Sequence, residues 1–313
     1  MGRTVGELGE FGLIEQVVER LPGGPSVLLG AGDDAAVVAA PDGRVVATTD
    51  LLVEGRHFRR TWSEAYDVGR KAAAQNLADV AAMGAVPTAL LVGLAAPADL
   101  PLDWALRFAD GLREECEVVG AAVAGGDVVR SELLTVAVTA LGSLEGREPV
   151  TRSGARPGDV VAVAGRLGWA AAGLAVLSRG FRSPRVLVEA HRRPAPPYAQ
   201  GPQAATLGAT AMIDVSDGLV QDLGHVAAAS GVRIDIASGV LEIPDAFTDT
   251  ARALNADPLR WVLTGGEDHA LAACFPAGTD LPAGWRLVGR VSEGEGLLVD
   301  GEPYEGPGGW QSF

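Results

Sequence analysis

The sequence has almost no lysine: Lys71 is the single one among 25 basic residues. A P-loop needs a lysine directly after G-x-x-x-x-G, and Lys71 sits in "DVGRKAAAQ", so that nucleotide-binding device is excluded. Cysteine is as scarce. Cys116 and Cys274 stand far apart, which excludes a disulfide framework. The lack of a cysteine–histidine cluster also argues against zinc. No apolar run approaches the roughly 20 residues of a membrane span. The opening "MGRTVGELGEFGLIEQVVERL" is too charged for a signal peptide, so a cytoplasmic protein with no membrane role is expected. Positive charge is short too: 25 Lys and Arg face 40 Asp and Glu, a net charge of −15. Such a field repels nucleic acid, and an anionic ligand needs cations between it and the chain.

What is present is an ordinary folding composition, 48% hydrophobic and 21% charged, over 313 residues, enough for about two domains. The pattern of strands and helices predicts two α/β halves. "EFGLIEQVVERL" reads as an amphipathic helix. "AAVVAA" and "RVVATTD", joined by Pro41-Asp42-Gly43, read as a strand hairpin. Ser63 to Ala85 reads as a long helix with Ser63 as N-cap and Gly84 near its stop. "TALLVGLA", "AAVAGGD" and "ELLTVAVTALG" read as strands around the helix "LDWALRFADGLREECEVVG". Gly, Pro and charge in "EGREPVTRSGARPGD" place a domain boundary near residue 148. Beyond it, "VVAVAG", "AMID", "VRIDIA", "DHALAACF" and "WRLVGRV" read as strands. "LGWAAAGLAVLSRG" and the segment after "VSDG" read as helices, and "RRPAPPYAQGP", with His191 assigned to it, as a proline-rich loop.

The stretch "VLLGAGDDAAVV" satisfies the dinucleotide pattern G-x-G-x-x-A, but in that fold the glycines must open a helix, and here strand-like residues follow. The two aspartates need another explanation. Asp33, Asp50, Asp127 and Asp214 each follow an apolar strand or glycine turn, and Asp217 opens a helix. Asp79 sits mid-helix in "NLADVAAMGA", on one face with Asn76 and Lys71. Each alone reads equally as a cap, a turn or a solvated residue. Together, carboxylates spread over both halves can pool at one site around hard cations with oxygen ligands, Mg²⁺ above all. Thr48 and Thr49 beside Asp50 add further oxygens. Other candidates are His57, Glu267 after two glycines, Arg152 at the boundary, Ser216 at a helix start and Trp310 in "GGWQSF".

With those residues in view, the sequence resembles the thiamine-monophosphate kinase family, related to aminoimidazole ribonucleotide synthetases. "GAGDDAAVV", "TTDLLVEGRHF", "QNLADVAAMGA", "AGGDVVR", "TRSGARPGDVVAVAGRLG", "IDVSDGL" and "LTGGEDHAL" carry the likeness, in family order and over nearly the whole chain. The resemblance implies a two-domain α/β (α+β) fold of aminoimidazole ribonucleotide synthetase type. Its mixed-sheet N-terminal domain, 1–148, binds ATP and Mg²⁺ and forms a homodimer; its C-terminal domain, 149–313, completes the active site. The implied reaction is ATP- and Mg²⁺-dependent phosphorylation of thiamine monophosphate to thiamine diphosphate, the final step in making that cofactor, with no covalent nucleophile. Family metal ligands fall on Asp33, Thr48, Thr49, Asp50, Asp79, Asp127, Asp214 and Asp217. ATP contacts fall on Gly126, Asp127, Arg152 and Ser216, and substrate contacts on His57, Glu267 and Trp310. Two departures stand out. His269 and Ala270 replace the aromatic–acid pair usual after "GGED", and a family tyrosine near the nucleotide falls on Ala109, beside Phe108.

Overall fold

The structure, a computed structural model, describes residues 3–21, 23–30 and 36–310. Asp33 and Asp34 lie outside the described residues. The chain divides into two compact units, Met1–Val80 with Ala85–Gly146, and Ala81–Gly84 with Arg147–Phe313.

The first unit begins with α1 (Val5–Leu8), α2 (Glu10–Val18), β1 (Val27–Leu29), β2 (Val37–Val38) and β3 (Val46–Val53). It continues with α3 (Ala65–Ala82), β4 (Val86–Ala96), α4 (Leu102–Val119), β5 (Ala122–Arg130) and β6 (Thr135–Ser143). Four strands form a mixed sheet in the order β3-β6-β4-β5, with β4 and β5 parallel. The hairpin expected between "AAVVAA" and "RVVATTD" does not form. The turn is present, with the Gly43 N–H donating to the Ala40 carbonyl at 3.0 Å, but its arms separate. β2 pairs with β1, whereas β3 pairs with β6 over eight residues, Val46 to Val53. The turn residues set the local reversal; the long alternating run of β6 offers β3 far more ladder than two residues of β2 can.

α3 starts two residues later than its sequence signal. The Glu64 N–H donates to the Asp67 carboxylate at 3.1 Å, so an acid in the first turn does the capping expected of Ser63. Gly84 at φ 73° follows its C-terminus, as expected. Asp50 and Asp127 stand inside β3 and β5 rather than at strand ends. β5 runs on because its pairing with β4 extends to Arg130.

The second unit contains β7 (Val160–Ala164), α5 (Trp169–Ser178), α6 (Arg185–Arg192), α7 (Gln200–Thr206), β8 (Ala211–Val215) and α8 (Leu219–Ser230). There follow β9 (Arg233–Ile236), α9 (Asp245–Leu254), α10 (Pro258–Thr264), β10 (Ala270–Phe275), β11 (Trp285–Ser292), β12 (Gly296–Val299) and β13 (Glu302–Pro303). Its sheet has the order β13-β12-β9-β11-β7-β10-β8. β8 and β10 are buried at every position, and β7 at all but its first, which explains their unbroken apolar sequences. Phe275 and Trp285 meet edge to face at 5.2 Å within one core cluster. A second aromatic group, Trp169–Phe247–Trp261, joins α5, α9 and α10. His191 belongs to α6, not to the proline-rich loop, which starts beyond that helix. Leu187, Val188, Ala190 and His191 bury one face of α6, and packing completes a helix too short for its sequence period to reveal.

Candidate active site

In the first unit, strand alternation decides which side chains meet. Thr48 and Asp50 share one face of β3, and Thr49 takes the other. α3 covers the first face. The Thr48 hydroxyl donates to the Asp79 carboxylate at 2.9 Å, and the Asp50 N–H donates to the Asn76 side-chain oxygen at 3.0 Å. Asn76 is itself fixed by donating to the Ala72 carbonyl at 2.9 Å. The Thr49 hydroxyl donates to the Val138 carbonyl at 3.0 Å and lies 3.1 Å from the Thr139 hydroxyl, so it is turned away from Asp79. Lys71, only 3% exposed, donates to the His57 carbonyl at 3.2 Å. His57 Nδ1 accepts the Val53 N–H at 3.0 Å, which leaves Nε2 to carry the proton of the neutral ring. One helix face, bearing Lys71, Asn76 and Asp79, thus holds both the strand and the loop that carry the candidates.

Gly126 and Asp127 lie at the far edge of the same sheet. The register runs Asp50, Val138, Val92, Gly126 across the four strands, a separation of about 14 Å at the usual strand spacing. A Cβ on Gly126 would stand 1.9 Å from the Val92 carbonyl oxygen, so only glycine allows β4 and β5 this close. Beside them opens a cavity of about 350 Å³. Its walls are aliphatic and aromatic, among them Val17, Leu94, Phe108 and Val123, and among the described residues Asp127 is the one charged side chain. Phe108 lines it, and Ala109 is fully buried; that locates the departure noted in the sequence.

In the second unit, antiparallel pairing brings three loops to one end of the sheet. Leu271 at the start of β10 lies beside Ala164 at the end of β7 and Asp214 near the end of β8. The turn before α5, the turn before α8 and the segment Gly265–His269 therefore converge. Gly266 permits the contact: a Cβ there would lie 2.2 Å from the Ser216 carbonyl oxygen, which accepts the Glu267 N–H at 2.7 Å. Glu267 and His269 both have left-handed backbones, φ 67° and 52°, an uncommon conformation for bulky residues and a mark of functional loops.

Those two left-handed residues send three consecutive side chains to three different elements. Glu267 Oε2 stands 3.3 Å from Nδ1 of His191 on α6. Asp268 accepts the Ala170 N–H at 3.0 Å and caps α5. His269 Nδ1 lies 3.1 Å from Asp214 Oδ2, both side chains buried. Burial pushes the Asp268 carboxyl up to about 7. Asp222, buried on α8, accepts the N–H groups of Asp217 and Gly218, each at 3.0 Å, and thereby shapes the turn that presents Ser216 and Asp217. Burial above all, with the charges of Asp214 and Asp217, pushes Asp222 up to about 7. Asp217, half-buried, is raised by burial and then by Asp214. The Trp310 N–H donates to the Asp217 carbonyl at 3.1 Å and its carbonyl accepts from Gln221, while its ring is 60% exposed. Arg152 is exposed; its carbonyl accepts the Ser230 hydroxyl at 3.1 Å.

The structure therefore brings together Thr48, Asp50 and Asp79 in one group, and Asp214, Ser216, Asp217, Glu267 and Trp310 in another. Asp127 stands apart from the first group. Among the described residues no three His, Cys, Asp or Glu side chains form a ready metal cage. The donors nonetheless suit a hard cation. All are oxygens, and Asp217, raised by burial and then by the neighbouring Asp214, gains from a positive charge beside it. Sequence reasoning missed His191, Asp222 and Asp268. Asp222 has a visible signal, an acid among Leu219, Val220, Leu223 and Val226 on an apolar helix face. His191 has none, because its partner is 76 residues away in sequence.

Comparison with known proteins gives three results. Residues 32–144 match the family "AIR synthase related protein, N-terminal domain". The thiamine-monophosphate kinase of Mycobacterium tuberculosis is 53% identical over 312 residues, covering 99% of this chain and 93% of the relative; that of Aquifex aeolicus is 38% identical over 315 residues, covering 98% and 99%. Among solved structures, AaThiL complexed with AMPPCP and TMP superposes with a TM-score of 0.82 at 36% identity, covering 98% of each chain.

Proposed function

The chain belongs to the thiamine-monophosphate kinase family, and on that premise we propose that it transfers the γ-phosphate of ATP to thiamine monophosphate, releasing thiamine diphosphate and ADP. The observation that carries the reading is the convergence of Asp214, Asp217, Glu267 and Trp310 at one end of the seven-stranded sheet. It offers oxygen ligands for a metal-bound phosphate, an acid for the pyrimidine and an aromatic face for the cationic thiazolium ring. Tryptophan is the strongest such partner for a cation.

The acceptor is a phosphate oxygen, anionic at neutral pH, so no strong general base is needed. The oxygen attacks the γ-phosphorus, the bond from that phosphorus to the β,γ-bridging oxygen breaks, and ADP leaves with the electron pair. The difficulty is repulsion between two polyanions on a chain of net charge −15. Mg²⁺ held at Thr48, Asp50 and Asp79, and Mg²⁺ held at Asp214 and Asp217, would neutralise that charge, with Asp33, Thr49 and Asp127 as further candidate ligands. Arg152 contributes a guanidinium for a phosphate. Gly126 bares main chain beside the cavity, whose apolar walls suit the adenine, and Ser216 lies at the turn leading into α8. His57 and Glu267 hold the substrate.

The proposed assembly is a homodimer through the four-stranded sheet. Its face opposite α3 shows Leu51 and Leu91 beside Thr49 and Thr139, with Leu51 53% exposed, and exposed leucines call for a cover. No described helix is long and apolar enough to cross a membrane, and the proposed compartment is the cytoplasm, where ATP is made. The test is incubation with ATP, Mg²⁺ and thiamine monophosphate. Equal amounts of thiamine diphosphate and ADP are expected, with no ADP when thiamine monophosphate is omitted. ADP release without it would overturn the reading in favour of a relative that activates another substrate.

A further inference from the structure

We propose that His191 is a positioning residue for Glu267, fixing the carboxylate that selects thiamine monophosphate; this rests on the role proposed above for Glu267. Its Nδ1 faces Oε2 of Glu267 at 3.3 Å. The other buried residues of α6, Leu187, Val188 and Ala190, are apolar, so an aliphatic side chain at position 191 would serve packing equally well. The histidine is the polar member of that row, and the group it faces is a candidate substrate acid on a loop with left-handed backbone.

The surroundings hold both partners still. α6 lies so close to α5 that a Cβ on Gly173 would be 2.1 Å from the Leu187 carbonyl oxygen and 2.8 Å from the His191 Cβ. That close approach anchors the histidine's own backbone. On the other side, the Glu267 main chain is tied to Ser216, and its neighbours Asp268 and His269 are tied to α5 and β8. The remaining freedom is the glutamate side chain, which has three rotatable bonds and is about one-third exposed. The 3.3 Å approach is an ion-pair distance without hydrogen-bond alignment, and a small rotation of the glutamate side chain lets Nδ1–H engage one oxygen and set the plane of the carboxylate. The effect belongs to substrate recognition, since neither group takes part in the bonds that form and break.

The test is a double-mutant cycle of His191→Leu with Glu267→Gln, read as KM for thiamine monophosphate, KM for ATP and kcat. His191→Leu is expected to raise KM for thiamine monophosphate about tenfold and to leave kcat and KM for ATP within about twofold. In the Glu267→Gln background the same change is expected to add almost nothing. His191→Asn, whose amide N–H can replace Nδ1–H, should recover most of the loss. If His191→Leu does not fold, His191→Gln, whose amide takes the place of Nε2 and not of Nδ1, carries the cycle, with thermal unfolding as the control. Multiplying effects of the two changes, or equal rises in both KM values, would overturn the inference. If Glu267→Gln alone leaves KM for thiamine monophosphate unchanged, the role of Glu267 fails and the inference fails with it.

Discussion

The two acidic groups of this chain are built differently. In the first unit Asp79 accepts from a threonine hydroxyl, and Asp50 is held through its main chain by Asn76. In the second unit Asp214 is buried against His269, and the buried Asp222 collects two main-chain N–H groups below Asp217. The Thr48 hydroxyl is neutral and only partly buried, and a contact of that kind can be exchanged for a ligand at little cost. Buried pairs cannot, because an acid that loses its partner in the interior keeps the full cost of desolvation. Under the proposed function, the first group would supply ligands that rearrange, and the second a preformed frame.

The largest expected effect breaks the comparison at its first member. Asp79→Asn keeps the size and loses the charge, so turnover should fall below about a tenth of wild type, a barrier increase above about 1.4 kcal/mol, while thermal unfolding stays unchanged. Steady-state kinetics at saturating Mg²⁺ beside a melting curve reads both. His269→Leu is the counterpart in the frame. It should lower stability by about 1–3 kcal/mol in denaturant titration, because it leaves Asp214 buried without its histidine. Equal stability losses in the two variants would erase the distinction.

Trp310 sharpens the comparison at the rim of the frame. Trp310→Ala should raise KM for thiamine monophosphate about fivefold, the scale of a cation–ring contact, and leave KM for ATP nearly unchanged. A rise in both would assign the ring to structure. A separate effect concerns pH. Asp268 is raised from 3.8 to about 7 in the folded protein, so the native state holds its proton more tightly than the unfolded chain does. Its contribution to stability is then fully present below about pH 4 and is lost as pH rises through about 7. Asp268→Asn keeps an acceptor for the Ala170 N–H and removes the titration. The stability difference between variant and wild type should move in favour of asparagine from pH 5 to pH 8, and a constant difference would contradict the assignment.

Much of this was legible in the sequence, and the limits have physical causes. The long helices and buried strands follow from period and apolar runs, and the motif residues from resemblance. The hairpin was misread because a turn specifies a reversal and leaves the choice of partner to the sheet: β3 found β6, about 90 residues away in sequence. Asp50 and Asp127 looked like strand ends because strand length depends on the neighbour's ladder. His191 was invisible as a site residue because the turn of α6 toward Glu267 is a product of tertiary packing.

The central claim is that phosphate passes in one step from ATP to thiamine monophosphate, with the side chains supplying charge and position and none accepting the phosphoryl group. Transfer from ATP made chiral at the γ-phosphorus tests it most directly. A single in-line displacement predicts inversion of configuration in the β-phosphate of thiamine diphosphate. Net retention would require two displacements through a phosphorylated residue and would contradict the account.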